Sequence, residues 1–271
     1  MPLRRILWPL LFALSAVQAA ADARMSVLID VLRLPEAAQI LAAEGLGYAD
    51  TLNTEMLNGQ GGAGWQVQVA AIYDPARMVE ILRSEIEQQL DAEAREDVIT
   101  FYASGLGAKI IGLENSARQA IQDPDVEEAA RARYVALDGT DDARLAQIER
   151  YIETGDMLNR NVASALNSNV QFLRGLADGD AIEMSEEDIL ADVSGDLEAT
   201  QDDTTSWLFG FLLLAYHPLT DAELDSYITF SQTAAGQALN RALFDGFGTS
   251  YDGISYALGR AVALNMTAQE L

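Results

Sequence analysis

The sequence predicts an all-α protein of about ten helices, built as two related antiparallel helical repeats that pack as one body. Three observations lead there. Apolar residues make up 49% of the chain; alanine and leucine dominate them, and alternating runs of valine, isoleucine and threonine are almost absent. Apolar positions recur at spacings of three and four, the stripe of an amphipathic helix. Ile99-Thr100-Phe101 leads into Gly107, and 129 residues later Ile228-Thr229-Phe230 leads into Gly236 at the same spacing.

The first 21 residues carry the marks of a secretory signal. Arg4 and Arg5 give a positive start, Ile6 to Val17 an apolar stretch, and Val17-Gln18-Ala19 or Ala19-Ala20-Ala21 a small-residue cleavage site. The stretch is too short for a membrane span, which needs roughly 20 apolar residues. Cysteine is absent, so neither disulfides nor a lipid-modified cysteine is available. A chain of this length can bury a core without such staples.

Segments 24–60 and 153–189 both have helical character. Gly59-Gln60-Gly61-Gly62-Ala63-Gly64 satisfies the spacing of a dinucleotide-binding loop, but that chemistry needs a strand before the loop and a helix opening after it. A helical segment precedes this one, so it is expected to be a loop joining two helices. Asp74 and Pro75 are a natural N-cap and first helical residue. Val79, Leu82, Ile86 and Leu90 follow at helical spacing. Asp123-Pro124 repeats the start signal for a charged helical connection, with a turn expected at Asp138-Gly139-Thr140-Asp141. The acidic stretch from Asp178 to Asp203 is expected on the surface as a helix flanked by loops. Ser185 to Asp188 and Thr220 to Glu223 have the pattern of capping boxes.

The 129-residue offset extends beyond the motif that defines it. Applied to the stripe of residues 79, 82, 86 and 90, it gives Leu208, Phe211, Ala215 and Leu219, all apolar. The repeat therefore pairs 75–115 with 204–244. The resulting organisation is a signal peptide over 1–21, a first helical unit over 22–122, a charged connection over 123–153 and a second, divergent unit over 154–271. The apolar run from Trp207 to Leu219 matches the first unit's helix in length and contains His217 and Pro218, which makes it a buried helix and no membrane span.

Charge narrows the function classes. The chain carries 17 basic and 42 acidic side chains, and removal of Arg4 and Arg5 with the signal makes the balance more acidic still. Such a surface repels phosphate backbones, so nucleic acid is excluded as a partner. Only one of the basic residues, Lys109, is a lysine. With one histidine, His217, and no cysteine, no zinc site is expected. The acidic spans 138–149 and 178–187 lack the alternating ligands and sixth-position glycine of a calcium loop. His217 precedes a proline at the end of the most apolar helix, where a histidine caps carbonyls. No nucleophile elbow accompanies it. Catalytic, cofactor and metal residues are thus expected to be none.

One motif remains. Phe101 ends a helix on its buried face, Ser104 caps the next and Gly107 lets the helices approach closely; Phe230, Thr233 and Gly236 keep all three parts in the second copy. Tyr102 and Lys109 become Ser231 and Ala238 there, so those two are the candidate functional groups of the first copy. Phe101-Tyr102-x-Ser104-x-x-Gly107-x-Lys109 resembles the core of the domain-of-unknown-function family numbered 2059, clearest over residues 70–120, with 204–247 as a divergent relative. Members often have proline after the serine, where this chain has Gly105. The resemblance implies an exported, periplasmic, all-α protein and brings no catalytic residues. The leading expectation is a non-enzymatic binding or interaction protein of the cell envelope. The alternatives are a carrier of an apolar ligand held between helices, and a hydrolase using His217 or a carboxylate pair. Ligand, partner and oligomeric state stay open at this point.

Overall fold

The computed structural model describes residues 22–269, and every regular element among them is a helix. The signal peptide expected over 1–21 lies outside the described residues. A helical stretch over 22–31 (α1) leads into α2 (Leu34–Met56), α3 (Gly62–Ile72), α4 (Pro75–Gln89), α5 (Ala92–Tyr102) and α6 (Gly105–Ala120). Then come α7 (Pro124–Leu137), α8 (Ala143–Gly155), α9 (Met157–Asp178), α10 (Glu186–Gly195), α11 (Leu197–Tyr216), α12 (Asp221–Ser231) and α13 (Ala234–Gln269).

There are more helices than the expected ten because several are separated by a single turn or residue. Arg33 at φ 48° divides α1 from α2, and Asp156 at φ 49° both ends α8 and starts α9. Pro35 stands in the first turn of α2 and Gly155 directly before Asp156, so each break has a local signal that the expected count did not use. The acidic stretch 178–203 also departs from expectation. α10 is there, but only Asp196 separates it from α11, so the second flanking loop is missing and the first turns of α11 are themselves acidic.

Local signals act where the sequence puts them. The Asp74 side chain accepts from the Ala76 amide at 2.9 Å and that of Asp123 from the Asp125 amide at 3.0 Å. Both capping boxes close, at Ser185 with Asp188 and at Thr220 with Glu223. Each such cap stabilises its helix by about 1 kcal/mol. The glycine-rich stretch 59–64 turns α2 into α3, with Gly59 and Gly62 at positive φ and Asn53 accepting from the Gly61 amide.

The two copies of the phenylalanine motif share their geometry. α5 and α12 begin and end 129 residues apart, and so do the starts of α6 and α13. Ser104 Oγ accepts from the Gly107 amide at 3.2 Å, and Thr233 Oγ1 from the Gly236 amide at 3.0 Å. At Gly107 a Cβ would fall on the Phe101 carbonyl, and at Gly236 on the Phe230 carbonyl. The two phenylalanine rings stack on each other, centroids 3.9 Å apart and nearly parallel.

Packing follows the apolar stripes. Leu82, Ile86 and Leu90 are buried beneath α4; 129 residues on, Ala215 and Leu219 are buried and Phe211 is half-buried, while Leu208 is buried where Val79 is half-buried. These join Val98, Ile110, Ile148, Leu224 and Leu239 in the main core. A second core links α2 and α3 to the C-terminal half of α13 through Trp65, Val69, Leu258 and Val262. α13 runs past both cores and lies along α9 and α4. Where it crosses α9, Gly175 and Gly259 bring the two backbones into contact, since a Cβ on either would overlap a carbonyl of the other helix. Among the described residues no helix is long and apolar enough to cross a membrane.

Candidate functional site

α6 presents Gly107, Ile110, Glu114 and Ala117 on one face, at intervals of three and four. Gly107, Ile110 and Ala117 are buried. Glu114 therefore projects a carboxylate where the helix otherwise buries apolar groups. Its Oε1 accepts from the Tyr216 hydroxyl at 2.6 Å and the Tyr227 hydroxyl at 3.2 Å. The Tyr227 oxygen is in turn 2.8 Å from that of Tyr151 and 3.5 Å from that of Tyr102. All four tyrosines are buried. The Tyr151 and Tyr216 rings meet edge to face, as do those of Tyr216 and Tyr227.

Burial governs the charges of this cluster. It pushes the Glu114 carboxyl above the usual carboxylate range, and the hydrogen bonds from Tyr216 and Tyr227 pull partly the other way. It also raises the hydroxyls of Tyr102, Tyr216 and Tyr227 well above the ordinary phenol value, with the Glu114 charge adding to the effect. Tyr151 is raised for the same reasons. The tyrosines are thus fixed as neutral donors, and Glu114 is the group whose charge can change.

The cluster forms part of the wall of a cavity of about 360 Å³. Helices α2, α6, α9, α11 and α13 supply the remainder, chiefly through Ile40, Ile111, Trp207, Phe211, Phe244 and Phe247. Trp207, Phe211, Phe244 and Phe247 stay only half-buried. Two polar groups accompany Glu114. Asn115 is 9% exposed, and its Nδ2 has no hydrogen-bond partner. Arg118 donates to both carboxylate oxygens of Glu44, at 2.8 and 2.7 Å, and lies 4.8 Å over the Trp207 ring. The arginine is neutralised by Glu44, whereas Glu114, the single acid among the described residues lining the cavity, has no cation beside it. A smaller hollow of about 60 Å³ adjoins it and shares Tyr102, Tyr151 and Tyr227.

The candidates read from the sequence divide. Tyr102 lines the cavity. Lys109 does not; its Nζ pairs with Glu223 at 2.8 Å and ties α6 to α12 outside the cavity. His217 ends α11 with an exposed side chain and lines none of the cavities described. Among the described residues no cluster of three or more histidine, aspartate or glutamate side chains is arranged to hold a metal ion. Glu114, Tyr151, Tyr216 and Tyr227 escape a motif search because they come from four separate helices. One signal does mark Glu114: it is a lone acid on the buried stripe of α6.

The resemblance carried by Phe101 to Lys109 holds when the whole chain is compared. Residues 76–133 match a bacterial family described as "Uncharacterized protein conserved in bacteria (DUF2059)". The matched span reaches from α4 into α7. It contains Tyr102, Glu114, Asn115 and Arg118 of the cavity wall but not Tyr151, Tyr216 or Tyr227. No curated protein and no solved structure matches the chain.

Proposed function

We propose that this chain is an exported, periplasmic, non-enzymatic binding protein that holds an apolar small molecule between its helices. In this reading the units 22–122 and 154–271, joined by the connection 123–153, enclose the ligand between them. The observation that carries it is the cavity. Its volume of about 360 Å³ falls within the roughly 300–1,000 Å³ typical of small-molecule sites, and its mixture of aromatic walls with a few polar groups is the usual composition of such sites. A dry apolar void of about 150 Å³ already holds benzene.

The wall itself supports binding over catalysis. Among the described residues no histidine, lysine or second carboxylate lines it, so Glu114 lacks the second member of the acid and base pair that hydrolysis requires. His217 lies elsewhere. Export is supported by the N-terminal pattern. The acidic balance of the chain supports a ligand that is not nucleic acid.

A neutral, environment-sensitive dye, N-phenyl-1-naphthylamine, tests the reading. Its fluorescence is expected to rise on binding the purified protein, and cavity-filling by Ser164→Phe or Ala37→Phe to abolish the rise while helical circular dichroism is retained. Native mass spectrometry of gently extracted protein is expected to show a bound organic mass. Absence of both the dye response and the bound mass would remove the proposal.

A further inference from the structure

We propose that the natural ligand is an apolar amine, whose ammonium group meets Glu114 while its hydrocarbon or aromatic body lies along Trp207, Phe211, Phe244 and Phe247. This rests on the binding reading above and adds the charge of the ligand to it.

The inference comes from what the cavity wall leaves unmatched. Arg118 is held by both oxygens of Glu44, so the wall has no spare positive charge for a carboxylate or phosphate. Glu114 has tyrosine hydroxyls on Oε1 and no protein cation. Its second oxygen, Oε2, takes no hydrogen bond from any described residue. A carboxylate in apolar surroundings is costly unless it is protonated or paired, and a bound ammonium ion supplies the pair. The aromatic rings suit the same guest, because their faces attract cations. The long-range field agrees, since a chain with net charge −25 concentrates cations and repels anions.

Competition against the neutral dye tests this with decylamine, decanol and decanoate, which share one apolar body and differ in charge. Near neutral pH and at low salt, decylamine is expected to displace the dye at a concentration at least about tenfold below that of decanol, a difference of about 1.4 kcal/mol, and decanoate to be the weakest. Glu114→Gln should bring amine and alcohol to within about threefold of each other, and Glu114→Asp should keep the amine preference. Should Glu114→Gln fail to fold, the wild-type protein answers instead. Its amine preference then shrinks as pH falls and Glu114 is protonated, while decanol binding stays constant. The groups facing Glu114 are Tyr102, Tyr151, Tyr216 and Tyr227, all held neutral, together with the Arg118–Glu44 pair. Dye binding with equal or stronger displacement by decanol or decanoate overturns the amine proposal and leaves the cavity reading standing. An amine preference that survives Glu114→Gln also overturns it, by assigning the effect to the acidic surface. Failure of the dye itself to bind removes both.

Discussion

At the scale of single residues, Glu114 sets the chemistry. Its folded carboxyl titrates above the ordinary value because burial disfavours the charge. The fold therefore prefers the protonated form; that stabilisation is present below the unfolded value of about 4.5 and is lost as pH rises through the raised folded value. Glu114→Gln keeps an acceptor for Tyr216 and removes the titration. It is expected to raise the urea midpoint near neutral pH and to flatten the decline of stability between mildly acidic and neutral pH. An unchanged pH profile would show that Glu114 ionises freely. Tyr216→Phe acts oppositely. It deletes a 2.6 Å hydrogen bond to a carboxylate, and loss of about 1.5–3 kcal/mol is expected where Glu114 is charged; loss below about 0.5 kcal/mol would mean that water replaces the hydroxyl. Glu114 was legible in principle as an acid on an apolar stripe, but its partners Tyr216 and Tyr227, and Tyr151 behind Tyr227, were not. Tyr151, Tyr216 and Tyr227 belong to α8, α11 and α12, and nothing local distinguishes them from core tyrosines.

At the scale of elements, the sequence spoke clearly at helix starts and poorly at helix breaks. Asp74, Asp123, Ser185 and Thr220 all cap as their side chains dictate, because a cap is a contact within three or four residues. The breaks at Arg33 and Asp156 are marked only by a lone Pro35 and a lone Gly155, with no capping side chain at either helix start, so they are weaker signals than the caps. The recurring motif makes the element scale testable. Gly107 and Gly236 place the start of one helix on the carbonyl end of the helix before it, and alanine at either position must push the backbones apart. Gly107→Ala and Gly236→Ala are each expected to cost about 1–3 kcal/mol in chemical denaturation. A neutral effect at one site alone would show that the two turns are not equivalent. The Lys109–Glu223 pair joins α6, which follows the first of these turns, to α12, which precedes the second. Hydrogen bonds from Lys109, and then from the amide and hydroxyl of Thr220, lower the Glu223 carboxyl to about 2. That contribution is present above the unfolded value of about 4.5 and is lost as pH falls toward 2. Lys109→Met is expected to make the acid limb of unfolding begin at higher pH, and an identical acid limb would assign Glu223 to the Thr220 cap alone.

At the scale of the whole molecule, charge and cavity act together. The all-α class was legible because periodicity and composition are summed over many residues, and the cavity was not, because a void is what side chains from five or more helices fail to fill. Net charge, by contrast, is read directly. At −25, with an isoelectric point near 4.1, the folded chain repels itself near neutrality, and the unfolded chain relieves that repulsion by expanding. Salt screens such surface charges over about 10 Å at 0.1 M but reaches buried groups much less. Two parts of the pH dependence can therefore be separated. Lowering the pH from 8 toward 5 is expected to raise the melting temperature, and added sodium chloride at pH 8 to raise it as well, with each 1 kcal/mol worth roughly 2–4 °C for a chain of this size. The salt-sensitive part reports the surface. The part that persists in high salt reports the carboxyls raised by burial, Glu114 and Asp252, the latter opposed by the Arg174 charge. In high salt, Glu114→Gln should remove most of the remaining slope and Asp252→Asn the rest. A wild-type slope that vanishes completely in salt would place Glu114 in contact with bulk water, and with it would go the reason for the cavity to select a cation.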